Sequence, residues 1–473
     1  LTYIEENPLR PAPGGFGTYQ NVLYSENKDL EQIKTTQNSS NYDISLTGKI
    51  DIKTTEKINL TLGGSYYTLN SNNYNYGSSL FNYDKNAHGV ANTWRVFGRF
   101  TMRFPSDPES NSFIKNFYYS IQADYTQSDG YTEDAAHGKD LFKYGYLGQF
   151  TTYKTPTYQL GSDTINGNFY EQAWILNSWD FDTLVTFDPY DYNPLIARYT
   201  SSYYELFAGQ VLGNYQNLDQ IQLGGGLLNG QGPDGVYGLW AAPGAGQAGY
   251  NEYDNTQFAI NVSGAMDIGN HEFKFGFQYD QRSDRGFGYA PGAFWGLMRS
   301  ITNFHIAELD IDNPLIVEGS NLDTIKYFRK YDELTQRTFD YNLRQKLGLP
   351  TNGLDFIDID SYDFNTNSIN YFDKNGVMHT KYYEGGELFS VDMFSADELL
   401  NDNISSYVGY FGYDYKGNKL TTKPSFEDFF NAQDENGNYT REIGAYEPNY
   451  MAFYLQDKFA FRDLIFNVGV RVD

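Results

Sequence analysis

The side chains best suited to chemistry are oxygen donors around Asp363. Asp363, Asn365 and Asn367 stand at the alternating positions from which a loop wraps calcium, but Ser368 replaces the turn glycine and Lys374 the bidentate glutamate. A solvated acidic loop explains the pattern better, so no cofactor is expected, and calcium here is the exception to test. Gly244 to Gly249 spells GxGxxG, yet no strand precedes it and no helix follows, which favours a loop over a dinucleotide site. His88, His137, His271, His305 and His379 are scattered without HExxH or paired spacing. There is no GxSxG elbow and no cysteine, hence no thiol nucleophile. Carboxylates abound, but the sequence does not position a glycosidase pair. Enzymatic function is not expected.

Arg95, Arg99 and Arg103 are more informative. In an extended chain they share one side, while Trp94, Val96, Phe100, Met102 and Phe104 share the other. Three arginines cannot face lipid, so their side must face water or a polar lumen, as a charge ladder or as a contact to a plug or substrate. Arg471 is a fourth lumen-facing candidate. It sits in the clearest alternating element, where Leu464, Phe466, Val468, Val470 and Val472 oppose Asn467, Gly469, Arg471 and Asp473. The preceding strand puts Met451, Phe453, Leu455, Phe459 and Phe461 on one face, interrupted by Asp457. Pairs of strands of roughly 9–11 residues with this code are what a transmembrane β-hairpin requires.

The code recurs upstream. Residues 42–52 alternate, turn at Thr54 to Lys57, and continue with Ile58, Leu60 and Leu62. Phe117, Tyr119, Ile121, Ala123 and Tyr125 repeat it, as do Phe142, Tyr144, Tyr146, Gly148 and Phe150, and residues 256–283 form another hairpin turning at Ile268 to His271. Short turns at 54–57, 105–112, 268–271 and 462–463 fall on one side, and long connections on the other, as in outer-membrane barrels. The expected organisation is an extracellular loop 1–41, barrel strands 42–154, an excursion 155–254, a hairpin 255–283, a large extracellular insert 284–448 and a hairpin 449–473. By the same parity 70–90 and 127–140 lie outside, and one strand is hidden in the excursion, near Trp174 to Phe187. Within the insert, Asn321 to Gly348 reads as a helix with Asn321 as N-cap and Gly348 and Pro350 as its stop.

Composition fits. Of 473 residues, 84 are aromatic, 44 of them tyrosine, as suits aromatic girdles at two interfaces. The formal charge of −26 argues against a nucleic-acid partner. A mean hydropathy of −0.59 says little against a barrel, because only alternate residues meet lipid.

The final hairpin carries a family resemblance. Tyr454-Leu455-Gln456-Asp457-Lys458-Phe459, followed by Gly469, Arg471 and Asp473, resembles the YxQDxW…GxRxD hairpin of TonB-dependent receptors, with Phe459 in place of tryptophan. The Gly269 to Gly276 hairpin and the aromatic loops look most like the Oar-like and SusC-like receptors of Bacteroidota. The resemblance implies an all-β, antiparallel 22-stranded transmembrane barrel in a Gram-negative outer membrane, an N-terminal plug, a TonB box and import energised by the inner-membrane proton gradient. About ten strands are expected here, making the chain the first part of the barrel, with neither plug nor TonB box before Leu1. Its partners would be outer-membrane lipids and, through the missing N-terminal segment, the TonB complex. The function implied is uptake of a glycan, peptide or chelated metal. The alternative is a non-transporting scaffold whose insert docks surface lipoproteins or other subunits; a soluble glycan-binding β protein, such as a propeller, is weaker.

Overall fold

The computed structural model describes residues 1–473 apart from 15–16, 23, 25, 107–111, 180–181, 208–216, 247–248 and 401–405. The chain is mostly antiparallel β-sheet, 46% strand against 16% helix, so the all-β class holds and helices are secondary features. Among the described residues no helix is long and apolar enough to cross a membrane.

Eight long strands build the principal sheet. They are β1 (Asn41–Lys53), β2 (Ile58–Asn73), β3 (Ala87–Phe104), β4 (Ile114–Glu133), β5 (Tyr250–Ile268), β6 (His271–Tyr289), β7 (Asn449–Phe461) and β8 (Leu464–Val472). Each pairs with its sequence neighbour in antiparallel register, and the short strand Val408–Phe411 adds to the upper end of β6. The short turns fall where the alternation places them, although 107–111 lie outside the described residues. Between β5 and β6 a two-residue turn puts Gly269 at φ +61°, the sign a type II′ hairpin requires at its first position.

Directly paired residues share a face, so the register fixes the sidedness of the whole sheet. Ile50, Leu62, Gly98, Ala123, Ile260, Tyr279 and Met451 form one continuous row across β1 to β7. This apolar face is uncovered: Leu46 is 62% exposed, Val96 52%, Phe453 53% and Val470 62%.

Several expectations are corrected. β4 pairs directly with β5, so the sheet needs no hidden strand from 155–254. The strands Asn168–Ser178 and Asp182–Pro189 exist around Trp174 to Phe187, residues 180–181 lying outside the described residues, but they join other sheets. The parity argument failed because Phe142 to Phe150 is not a wall strand. Tyr144, Tyr146 and Phe150 are buried, and Gly148–Lys154 pairs with Asp182–Pro189. Its alternating aromatics enter a core on both sides. The ten expected wall strands therefore reduce to the eight long ones and the short addition on β6. Those strands also run further than the alternation suggests, β4 to 20 residues and β5 and β6 to 19 each.

The Asn321 to Gly348 helix is also corrected. Asp323–Lys326 is a strand, because Ile325 packs into a four-stranded sheet beside Ile175, and the α-helix is confined to Thr338–Leu347, after a 3-10 turn at Glu333–Thr335. Its stop is as read, with Gly348 left-handed at φ +64°.

The excursion after β4 and the insert share one core. Tyr146 meets Trp295 at 5.0 Å and Phe364 at 4.8 Å, and its hydroxyl donates to the Tyr362 carbonyl at 2.5 Å. Phe339, Leu343, Ile357, Phe389 and Phe394 complete the cluster. The loop after β2 is tied in as well, since Asn82 donates to the Ala242 carbonyl and accepts from the Gly244 amide. These long connections fold as one outer domain. Trp295→Ala should destabilise that domain by about 3–5 kcal/mol and Tyr146→Phe by about 1 kcal/mol, read by denaturant titration of the purified protein.

Candidate functional site

The register collects all four arginines on the polar face. Arg95 pairs with Thr126, Arg99 with Gln122, Arg103 with Tyr118 and Arg471 with Tyr454. Arg95 also forms a two-pronged contact with Asp124 Oδ1, Nη2 at 2.9 Å and Nε at 3.2 Å. Arg99 donates twice to Gln122 Oε1, at 2.9 and 2.7 Å. Around them the face is a lattice of short polar pairs. Thr93 meets Ser128 at 2.9 Å, Thr101 meets Ser120 at 3.2 Å, and Gln278 donates to Asp280 at 2.6 Å. Such a face holds water and polar solutes and stays charged by balancing cations against carboxylates.

The motif residues of β7 and β8 build the hairpin itself. Tyr454 lies against Gly276 so closely that a Cβ there would stand 2.2 Å from its ring, so this glycine is needed bare. Gln456 pairs with Gly469, and Phe459 stacks on Phe466 at 5.3 Å. Arg471 Nε reaches Asp473 Oδ1 at 2.7 Å, and the Tyr450 hydroxyl donates to the same oxygen at 2.6 Å. Asp457 falls on the apolar face, opposite Phe273 and Val468, where His271 Nδ1 lies 2.7 Å from its Oδ2. These contacts assign the motif a hairpin-sealing role.

The loop at Asp363 closes the hairpin between strands Phe356–Asp363 and Ser368–Phe372. Its carboxylate accepts from the Asn365 amide at 2.8 Å, the Thr366 hydroxyl at 2.7 Å and the Tyr190 hydroxyl. Burial opposes ionisation of Asp363, yet those bonds hold its carboxyl below the usual range. Asn367 turns its amide onto the carbonyls of Tyr383 and Gly386, so these side chains are spent on the fold. The GxGxxG segment is loop, with Gln247 and Ala248 outside the described residues.

Two buried polar networks were not legible in the sequence. In one, Arg344 Nε donates to Asp340 Oδ2 at 2.9 Å, while Nη2 reaches Asn303 Oδ1 at 3.1 Å and the Asp355 carbonyl at 2.7 Å. His305 Nδ1 is 3.4 Å from Asp340 Oδ2, and all three ionisable side chains are fully enclosed. In the other, Arg299 grips Asp360 and the Asn229 carbonyl, at 2.6 and 2.9 Å. Only the i,i+4 spacing of Asp340 and Arg344 could have signalled either. Beside helix Thr338–Leu347 opens a polar cleft of about 480 Å³, lined by Arg337, Tyr341, Asn342, Gln345, Asp392 and Asn438. Its amides, carboxylate and exposed ring suit hydrogen-bonded, stackable ligands.

Compared with known proteins, the chain matches no family model and no curated protein.

Burial pushes the His305 imidazole down to about 4; Asp340 and Asp332 draw it back up and Arg344 presses it lower. The folded pKa therefore lies below the ordinary value of about 6.5. Between the two, the unfolded chain binds more protons, so stability falls as pH drops from ~6.5 toward ~4. Acidifying from about pH 7 to about pH 5 should remove roughly 2 kcal/mol through this group. Urea titrations at both values should show that loss, and His305→Phe, packed against Tyr331, should flatten it.

Proposed function

We propose that this chain forms part of the wall of a Gram-negative outer-membrane β-barrel with an extracellular domain, and that the barrel is a TonB-dependent receptor importing a nutrient. One observation carries the membrane reading: eight registered strands present an uncovered apolar face, with four arginines on the opposite face. Along β3, from Phe104, paired with Phe117, to Trp94, paired with Gln127, is ten residues. At roughly 3.4 Å per residue and a tilt of roughly 40° the band stands about 26 Å tall, the height of a barrel's lipid belt. Both limits are aromatic, with Phe104 stacked on Phe117 at 5.6 Å and Trp94 tilted against its diagonal neighbour Tyr125 at 5.3 Å. Above Trp94 the same face turns polar, as Asn92 bridges Thr68 and Asp129 at 2.9 and 3.2 Å.

Among the described residues, β1 and β8 each leave one edge without a partner in the sheet. In hydrocarbon such edges require pairing, which supports further strands beyond these eight, as the 22-stranded barrel of the resemblance implies. Import rests on the hairpin motif and is supported by the polar face and the outer cleft, whose chemistry suits a glycan or peptide. The scaffold reading, in which the outer domain docks lipoproteins or other subunits, draws support from the size of that domain.

Ile121→Arg on the apolar face should cost about 2–4 kcal/mol and deplete the folded protein from the outer-membrane fraction, whereas Ser120→Arg on the polar face should cost far less. Equal tolerance of both, or a protein soluble without detergent, would reject the barrel. Collapse of the proton gradient should abolish uptake of labelled oligosaccharide or peptide mixtures by cells bearing the receptor; indifference would favour the scaffold.

A further inference from the structure

Beyond Trp94 the face that carries the apolar band also carries carboxylates. Asn92, Asp129, Asp254 and Arg285 form one cross-strand row, and Val90, Tyr131, Glu252 and Phe287 form the next on that face. These rows lie two and four residues past Trp94 along β3. At roughly 3.4 Å per residue and a tilt of roughly 40° they stand about 5 and about 10 Å above it. A cavity of about 600 Å³ opens here, lined by Asp129, Glu133, Glu252, Asp254, Lys139 and Lys419. It already seats two ammonium groups of the chain. Lys139 Nζ lies 3.4 Å from Glu252 and 5.2 Å over the Tyr250 ring, and Lys419 binds Asp254. Both lysine side chains are mostly in solvent, 72% and 55% exposed, so either exchanges readily.

Asp129 is less well served. It stands directly opposite Asp254, an arrangement of like charges that repels, while Arg285 faces Asp254 from the other side. Asp129 accepts the Asn92 amide at 3.2 Å and has no ion pair among the described residues. Glu133 has only His88 near it, at 3.7 Å. Tyr413 adds an independent sign. It pairs with Lys419 across the turn at Asp414 to Gly417, so the two side chains leave the hairpin on the same side. Its ring packs on Phe287 at 5.0 Å, the residue is 1% exposed, and its hydroxyl has no hydrogen-bond partner. Burial, then the carboxylates of Glu252 and Asp254, push that hydroxyl up to about 12, with Arg285 opposing and Asp129 adding to them. A buried hydroxyl aimed at carboxylates has lone pairs to offer an N–H donor.

We propose that this cavity binds an aliphatic primary ammonium group, with Asp129 as its counter-charge, the Tyr413 hydroxyl as a second acceptor and the rings of Tyr131 and Tyr250 as its walls. Three N–H donors suit oxygen acceptors spread around a cavity, and aromatic faces add cation–π attraction. A bare metal ion suits it less, since among the described residues no three acidic or histidine groups come together as metal ligands. The ammonium has two sources. A headgroup layer reaches roughly 5–7 Å beyond the hydrocarbon, which places the Asp129–Asp254 row at the height of a lipid amine. A soluble amine would enter from outside. The site itself stands on the sheet's geometry and does not depend on transport; only the lipid source rests on the membrane reading.

The test is titration of the purified, delipidated full chain in detergent with spermidine, read by calorimetry and melting, against tetramethylammonium and sodium at matched ionic strength. Spermidine should bind and raise the melting temperature, and the two controls should not. Asp129→Asn should weaken spermidine about tenfold or more, yet raise the melting temperature of the amine-free protein by removing the repulsion from Asp254. Tyr413→Phe should weaken binding severalfold. Equal binding of tetramethylammonium, unchanged affinity in both variants, or no binding of spermidine would each overturn the inference. Native mass spectrometry of protein drawn from outer membranes separates the sources. An amine-bearing lipid kept by the wild type and lost from Asp129→Asn assigns the site to a headgroup, and spermidine binding without such a lipid assigns it to a soluble amine. Ile121→Arg tests the membrane reading separately, so either can fail alone.

Discussion

The unbroken antiparallel hydrogen-bond ladder from β1 to β8 is the constraint on which the other features depend. Successive side chains point to opposite faces, so a one-residue slip at any pair would carry every later strand's apolar set to the arginine side. The ladder shifts once between β4 and β5, between Ala265 and Asp267. Asn116 sits at φ +49° beside that shift and donates to Asp267 at 2.7 Å. The bulge lies at the turn end, where it bends the edge of the sheet without scrambling the band above it.

The ladder also explains how charge is tolerated. On the polar face Arg95 and Arg99 meet acceptors from the next strand, since cross-strand neighbours are only about 5 Å apart, and Arg471 meets Asp473 of its own strand. Within the apolar band the carboxylate of Asp457 is placed near the turn and paired with His271. The domain built by the long connections solves a different problem, because its ladders are short and separate. It ties its segments together with aromatic clusters and two ionic networks, one fully enclosed and one half-buried, where Arg344 and Arg299 satisfy backbone carbonyls as well as carboxylates. Such networks add little net stability but penalise other packings, because breaking one strands a buried charge.

The hairpins, their turns and the two faces were legible because period-two alternation is a local signal written within about ten residues. Phe142 to Phe150 shows the limit of that signal. It alternates as well as any wall strand, but the residues that cover it, Trp295 and Phe364, come from the distant insert. One miscounted strand then forced a hidden partner for it. Asn321 to Gly348 failed for a similar reason: helical spacing was present, yet Ile325 was claimed by a sheet whose other strands lie far upstream. Of the site, the arginines and motif hairpin were readable, while Asp340, Arg344 and His305 were not, since their meeting depends on Asn303 and Asp355 from separate segments.

The distribution of charge follows from the same architecture. A strand facing an apolar phase on one side can carry charge only on the other, where cations and carboxylates must pair. The outer domain has no such restriction, and residues 290–448 hold 26 acidic against 13 basic side chains, half of the chain's net −26. The domain built by these connections therefore carries a negative field, which concentrates cations and repels free anions. On the sheet, Arg95 and Arg99 are held by Asp124 and Gln122 rather than offered bare. The acidity is thus a property of the connections, while the polar face of the sheet balances cation against carboxylate or amide, as these two pairs show.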